Sequence, residues 1–239
     1  MQQNGELYLS NLLLASISQS NFLRMGDHFE EVDLDLHQVL HSAGAAIEHL
    51  YFPTSGICSV IVRAGDGLLL EAGIIGKEGV VGLSLALFVD ESPFEVIVQL
   101  PGRALRISRD AFLEMQNSNL HFRNTILRYI YIFMIQTAQT ALANGKLTIQ
   151  ERLARWLLMC HDRADAREFI MTHKFLSTML AVRRAGVTTA LQHLESKSAI
   201  KSTRGKVKII NRAVLEQLAN SAYGKPEAEH RRLIGAGIF

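Results

Sequence analysis

The stretch Thr172–Lys208, THKFLSTMLAVRRAGVTTALQHLESKSAIKSTRGKVK, reads as two short helices about a tight turn, followed by a strand pair tipped with basic residues. Thr172 is a good N-cap, and behind it Phe175, Leu176, Met179 and Leu180 fall on one face at helical spacing. Ala181 and Val182 make the turn. The second helix begins at Arg183-Arg184 and buries Val187, Leu191 and Leu194, which leaves Arg184, Ala185, Thr188, Thr189 and Gln192 on outward faces. Ile200 to Ile209 then alternates like a hairpin with Gly205 near its tip. Helix, turn, helix and basic hairpin in this order outline a winged helix-turn-helix, a DNA-reading module.

Working outward, this module is too small to be the whole chain, because 239 residues exceed the roughly 100–200 of one domain. The net charge of +2 says little; its distribution says more. Residues 1–145 hold 8 Lys+Arg against 15 Asp+Glu, a net of −7, and residues 146–239 hold 17 against 8, a net of +9. A basic lobe that meets a polyanion and an acidic lobe that does not is the expectation.

Upstream, from about Val32 to Arg109, short apolar runs alternate with Gly, Pro and Asp turns. Val32 to His37 alternates, Tyr51-Phe52-Pro53-Thr54-Ser55-Gly56 is a turn signal, and Ile57 to Val62 is a buried strand. Ala64 to Gly67 turns into Leu68 to Ala72. Gly73, Gly76, Gly79 and Gly82 mark corners, and Glu95 to Leu100 with Gly102 to Ile107 close the lobe. Such spacing predicts a β-barrel or sandwich.

A helical segment around Phe112 to Gln116 follows, then a long helix from about Leu120 to Asn144 in which Leu120, Leu127, Met134 and Ala141 recur every seven residues. Ile126, Ile130, Phe133 and Thr137 fill the adjoining stripe. A band this broad can pack on its own β lobe and on a second copy of itself, so Leu120, Leu127, Ile130, Met134, Thr137 and Ala141 are the candidate dimer contacts. Asn144-Gly145 reads as its stop and hinge, and a further helix, Thr148 to His161, opens the basic lobe.

The chain has no signal-peptide pattern and no apolar run near the ~20 residues that span a bilayer, so a cytoplasmic protein without a membrane partner is expected. Cys58 and Cys160 are too few for a disulfide scaffold or an iron–sulfur cluster, and both read as core residues. His37 and His41, four apart in a strand, would share a face, with His28 and His49 near in sequence. No carboxylate or thiol completes a ligand set, so neither a metal nor a cofactor is assigned. P-loop, Gly-x-Ser-x-Gly and His-Glu-x-x-His motifs are absent, which argues against an enzyme.

With acidic β lobe, long helix and basic winged helix in this order, the chain resembles the Crp/Fnr superfamily of bacterial transcription regulators over nearly its whole length. The most specific stretches are Tyr51 to Gly56, Gln150-Glu151-Arg152-Leu153-Ala154-Arg155-Trp156-Leu157-Leu158, and Met179 to Leu194 with its wing. The resemblance implies an α+β architecture: a double-stranded β-helix (β-roll) of the cyclic-nucleotide-binding type as effector domain over 1–117, a dimerisation helix and hinge over 118–145, and a winged helix-turn-helix over 146–239. It implies a homodimer on a near-palindromic double-stranded DNA site, RNA polymerase as a further partner, and an effector acting through the β-roll. Departures count as well. The Gly-Glu and Arg-Ser pairs that hold cyclic AMP in family members fall at Gly82-Leu83 and about Ser92-Pro93, so a buried phosphate would lack its Arg. Cyclic AMP is therefore not the expected effector, whose identity stays open around Gly82, Leu83, Ser84 and Ser92.

Transferred residue by residue, Arg184 takes the place of a base-contacting Arg, Ala185 replaces a frequent Glu, and Thr189 replaces a polar or basic reader. The candidate DNA contacts are Thr172, Arg183, Arg184, Ala185, Thr188, Thr189, Gln192, Lys201, Arg204 and Lys206, with Lys208 beside them on the wing. Gly186 either lets helices pack closely or lets DNA approach. The competing reading is a small-molecule sensor whose winged helix docks a protein partner.

Overall fold

The computed structural model describes residues 8–17, 26–63, 65, 67–164 and 166–235. In the amino-terminal lobe, β1 (Phe29–Leu34), β7 (Gly102–Ser108) and β3 (His49–Pro53) form one antiparallel sheet in the order β1-β7-β3. Strands β2 (Val39–His41), β6 (Glu95–Leu100), β4 (Ile57–Arg63) and β5 (Leu69–Ile75) form the second, in the order β2-β6-β4-β5. The two rolled sheets close over Leu34, Val60, Ile75, Val96 and Val98, each alternating inward as the pleat requires, and over Val81, which bridges to Tyr51. A short helix, α1 (Leu12–Ala15), is pinned on this roll by its N-cap: the buried Asn11 Nδ2 donates to the Pro53 and Gly79 carbonyls, both at 2.9 Å, and its Oδ1 accepts from Leu14 N.

Helix α2 (Arg109–Ser118) leads into α3 (Leu120–Lys146), capped by Asn119. One side of α3 is buried on the roll through Phe122, Ile126, Tyr129 and Gln136. The amide of Gln136 clamps the backbone of β5, accepting from Ile74 N at 2.7 Å and donating to Ile74 O at 3.1 Å. Gly73 makes the approach possible, since a Cβ there would stand 2.8 Å from Gln136 Oε1 and 3.0 Å from the Phe133 ring.

Two expectations need correction, one at the end of α3 and one after β1. The helix does not stop at Asn144-Gly145 but continues to Lys146, because Gly145 keeps a helical backbone and does not turn left-handed. The break falls at Leu147-Thr148, where Thr148 and Glu151 form a capping box: Thr148 N donates to Glu151 Oε2 at 2.8 Å, and Glu151 N donates to Thr148 Oγ1 at 3.3 Å. That box opens α4 (Ile149–Ala164). The pairing of His37 with His41 on a strand face also fails: β1 ends at Leu34 and His37 sits in a turn at φ +66°.

The second lobe contains β8 (Glu168–Ile170), α5 (His173–Met179), α6 (Arg184–Ser196), β9 (Ile200–Thr203), β10 (Lys206–Ile209) and α7 (Arg212–Ala219). Strand β8, which the sequence pattern does not signal, pairs with β10 and makes the wing three-stranded in the order β8-β10-β9. Helix α8 (Lys225–Leu233) returns to α3, where Arg128 Nη1 meets the Leu233 carbonyl at 3.3 Å. No helix among the described residues is long and apolar enough to cross a membrane.

Candidate nucleic-acid interface and effector cavity

The reader is built from α5 and α6. Thr172 Oγ1 accepts from Phe175 N at 3.1 Å and starts α5, whose Leu176 and Met179 join the core around Trp156. Ala181 takes φ +49°, a left-handed conformation unusual for a residue with a Cβ, and so turns the chain sharply into α6. Val187, Ala190, Leu191 and Leu194 bury one face of α6, while Arg184, Ala185, Thr189 and Gln192 stay at least partly exposed on the other. Thr188 is only half-exposed: its hydroxyl lies 3.2 Å from His173 Nδ1 and 3.2 Å from the Arg184 carbonyl. A Cβ built on the half-buried Gly186 would stand 3.0 Å from Ile149 Cδ1, which supports close helix packing as a reason for glycine there.

The amino end of α6 is unusual in its chemistry. Arg183 is the N-cap, no side chain caps the first amides, and Arg183 and Arg184 are both exposed. Two cations and free N–H groups thus gather where the helix dipole is already positive, a local arrangement that an external anion would stabilise. The wing adds a second such place. Lys201 and Lys208 are directly opposite on β9 and β10, and like charges so placed destabilise a sheet. Gly205 at φ +75° closes the tip beside the exposed Arg204. Among the described residues no salt bridge engages Arg183, Arg184, Lys201, Arg204 or Lys208, whereas Lys206 holds Glu168 at 3.0 Å. Thr172 Oγ1 accepts the cap bond from Phe175 N, which leaves its hydroxyl proton to donate.

In the β-roll, Gly82, Leu83, Ser84 and Ser92 line one cavity of about 280 Å³. Its other walls are not visible in the sequence: Val60, Ile75 and Val96 from the sheet, and Ile130, Phe133 and Met134 from α3. Strand register brings them together, and linear spacing does not show it. His41 also lines it; its Nε2 donates to the His49 carbonyl at 2.8 Å, and burial holds the imidazole below its ordinary pKa, in the neutral form. Among the described residues the arginines of the strands and of the start of α2 are engaged elsewhere: Arg63 with Glu95, Arg103 with Glu31, Arg106 with Glu30 and Arg109 with Asp90. Cys58 and Cys160 are buried, and burial pushes the Cys58 thiol up to about 12, which makes it inert as a nucleophile. Among the described residues no three His, Cys, Asp or Glu side chains gather as a metal site.

The two lobes meet through a buried polar seam. Trp156 Nε1 of α4 donates to Glu71 Oε1 of β5 at 2.7 Å, and Ser59 reaches both Glu71 Oε2, at 2.7 Å, and Gln99. Beside it Arg163 Nε binds Glu78 Oε1 at 2.8 Å with both side chains buried. Burial pushes Glu71 up to about 7, against the opposing pull of its hydrogen bonds and of Arg155 and Arg163. A lone acid in the apolar run Leu68-Leu69-Leu70-Glu71 is the available sequence signal for this seam.

Comparison with known proteins agrees with this geometry. Residues 31–119 match the cyclic nucleotide-binding domain model, and residues 151–218 match the Crp-like helix-turn-helix domain model. The fold is shared with FixK2 from Bradyrhizobium japonicum (16% identity, 81% of this chain and 98% of that chain, TM-score 0.69). It is shared also with TTHB099, a CRP-family transcriptional regulator from Thermus thermophilus (18%, 81% and 98%, TM-score 0.66), and with CLP, a c-di-GMP responsive global regulator of Xanthomonas campestris (16%, 80% and 99%, TM-score 0.65). No curated protein sequence matches the chain. A cyclic nucleotide-binding domain, a long helix and a Crp-like helix-turn-helix domain thus follow one another in this chain, the domain order and fold that it shares with Crp/Fnr-family proteins of solved structure.

Proposed function

We propose that the protein is a homodimeric, sequence-specific DNA-binding regulator of the cytoplasm, in which α6 of each copy enters the major groove of a near-palindromic site and the β-roll senses an effector. The observation that carries this reading is the basic tip without salt bridges among the described residues, Arg183-Arg184 at the start of α6 with Lys201, Arg204 and Lys208 on the wing, in a helix-turn-helix of the Crp type. Arg184 and Gln192 are the proposed base readers, with Thr188 and Thr189 beside them; the wing and Arg183 hold phosphates. Two such tips need to stand about 34 Å apart, one duplex turn, which a symmetric pair joined along α3 can supply. Support for that pairing is the apolar stripe of α3, where Leu120 is 62% and Met134 61% exposed in the single chain. Structural neighbours CLP and TTHB099 are described as regulators, and no catalytic step is part of this reading.

Selection of bound sequences from random duplex DNA, followed by affinity measurements across salt concentration, tests the proposal. A two-fold symmetric consensus and a steep loss of affinity with salt are expected. No binding at low salt would move the reading to a winged helix that docks a protein.

A further inference from the structure

We propose that the β-roll cavity takes an uncharged, largely apolar small molecule, of about the bulk of two fused aromatic rings, anchored by one hydrogen bond at Ser84. This rests on the reading of the β-roll as the sensor lobe and adds the chemistry of what it senses.

Size, wall and anchor each bear on the ligand. At about 280 Å³ the cavity is just under the roughly 300–1,000 Å³ of drug-sized sites. Its walls are side chains of Val60, Ile75, Val96, Ile130 and Phe133, so an apolar body gains by leaving water. Among the described residues no Lys or Arg lines it, and the charged side chain on its wall is the carboxylate of Glu91. A phosphate or carboxylate placed there would be an unpaired, partly buried charge next to a like charge, which is costly. Ser84 supplies the anchor. Its Oγ is shielded and without a hydrogen-bond partner among the described residues, so a χ1 rotation turns it toward the occupant without breaking a bond, and it does not cap the short turn of helix that follows. A buried hydroxyl left so costs stability that a ligand N–H or O–H would recover. The site also spans two elements, the sheet and α3, so an occupant touches the helix whose Gln136 clamps β5.

The test uses the purified full chain and 1-naphthylamine, a neutral dye of two fused rings with an N–H donor, whose emission shifts in apolar surroundings. Saturable binding of one dye per chain is expected. Displacement by 1-naphthol should be at least about tenfold more effective than by 1-naphthoate or cyclic AMP. Val96→Phe, which fills the cavity, should weaken dye binding about tenfold or more. Should that variant fail to fold, Val89→Trp at the exposed mouth serves instead. Ser84→Ala should weaken 1-naphthol several-fold while leaving the melting temperature unchanged or raised. Three results would overturn the proposal: no saturable binding, displacement by the anions as good as by naphthol, or dye binding indifferent to the cavity variants, which would place the dye on the exposed stripe of α3. Dye binding as expected with no change in DNA affinity would uphold the ligand chemistry and reject the sensor-lobe reading.

Discussion

Arg184 carries a charge that its own helix does not want. A cation in the first turn costs roughly 0.3–1 kcal/mol against the macrodipole, and among the described residues no salt bridge holds it. Replacing it with Ala should therefore leave the melting temperature equal or slightly higher. On DNA the same change should cost about 1–3 kcal/mol at the selected site and blur one base position, read by anisotropy titrations against matched and singly substituted duplexes. Arg204→Ala on the wing should instead weaken all sequences alike and flatten the salt slope by about 1. Lys206 differs from its wing neighbours because Glu168 already neutralises it, so Lys206→Ala should have the smallest effect of the three. An Arg184→Ala loss identical on every duplex would remove it as a base reader.

Helix α3 shows how one element can present two apolar faces with different fates. Seven residues are nearly two turns, so Leu120, Leu127 and Met134 stay on one side with only ~20° of drift per step, and that side is bare in the single chain. Ile126 and Tyr129, on the far side, are buried under the roll. Leu127→Glu should thus give monomers by sedimentation, with the melting temperature lowered only by the lost association and no longer dependent on protein concentration. Ile130→Glu should lower the melting temperature, because Ile130 packs against the β-lobe core and lines its cavity. Sequence alone groups Leu127 and Ile130 together, since periodicity finds apolar faces without saying what covers each. The same limit explains other gaps. The α5–turn–α6 unit is legible because caps and spacing are local, as Thr172, Val187 and Leu194 show. Three-residue β8 and the walls Val60, Ile75 and Phe133 are not, because partners far along the chain define them. The break at Leu147-Thr148 is hidden because Asn144-Gly145, just before it, offers a stop that the helix does not need.

Across the whole molecule the basic lobe is held on the β-roll by the seam at Glu71. Ser59 has one hydroxyl proton and faces two acceptors, the carbonyl oxygen of Gln99 and Oε2 of Glu71. Protonation of Glu71 resolves the conflict, since its O–H can donate to Ser59 while Oε1 still accepts from Trp156. Burial favours the same state and raises the carboxyl to about 7, with Arg155 and Arg163 pulling the other way. The sign follows. A carboxyl raised on folding from the 4.5 of a free glutamate stabilises the fold fully below that value, and the contribution is lost as pH climbs through about 7. Over that range the loss is on the order of 3 kcal/mol. His41 and His230, both lowered by burial, act in the opposite direction below about 6.5, so the wild-type curve alone is a blend. Glu71→Gln keeps an acceptor for Trp156 and cannot ionise. Urea melts of both proteins between pH 4.5 and 8, followed by the fluorescence of Trp156, the only tryptophan, separate the contributions. Wild type should lose stability relative to Glu71→Gln steadily as pH rises, with the gap levelling above about 8. A gap that is constant with pH would mean that Glu71 is ionised in the seam throughout, with Arg155 and Arg163 outweighing the cost of its burial.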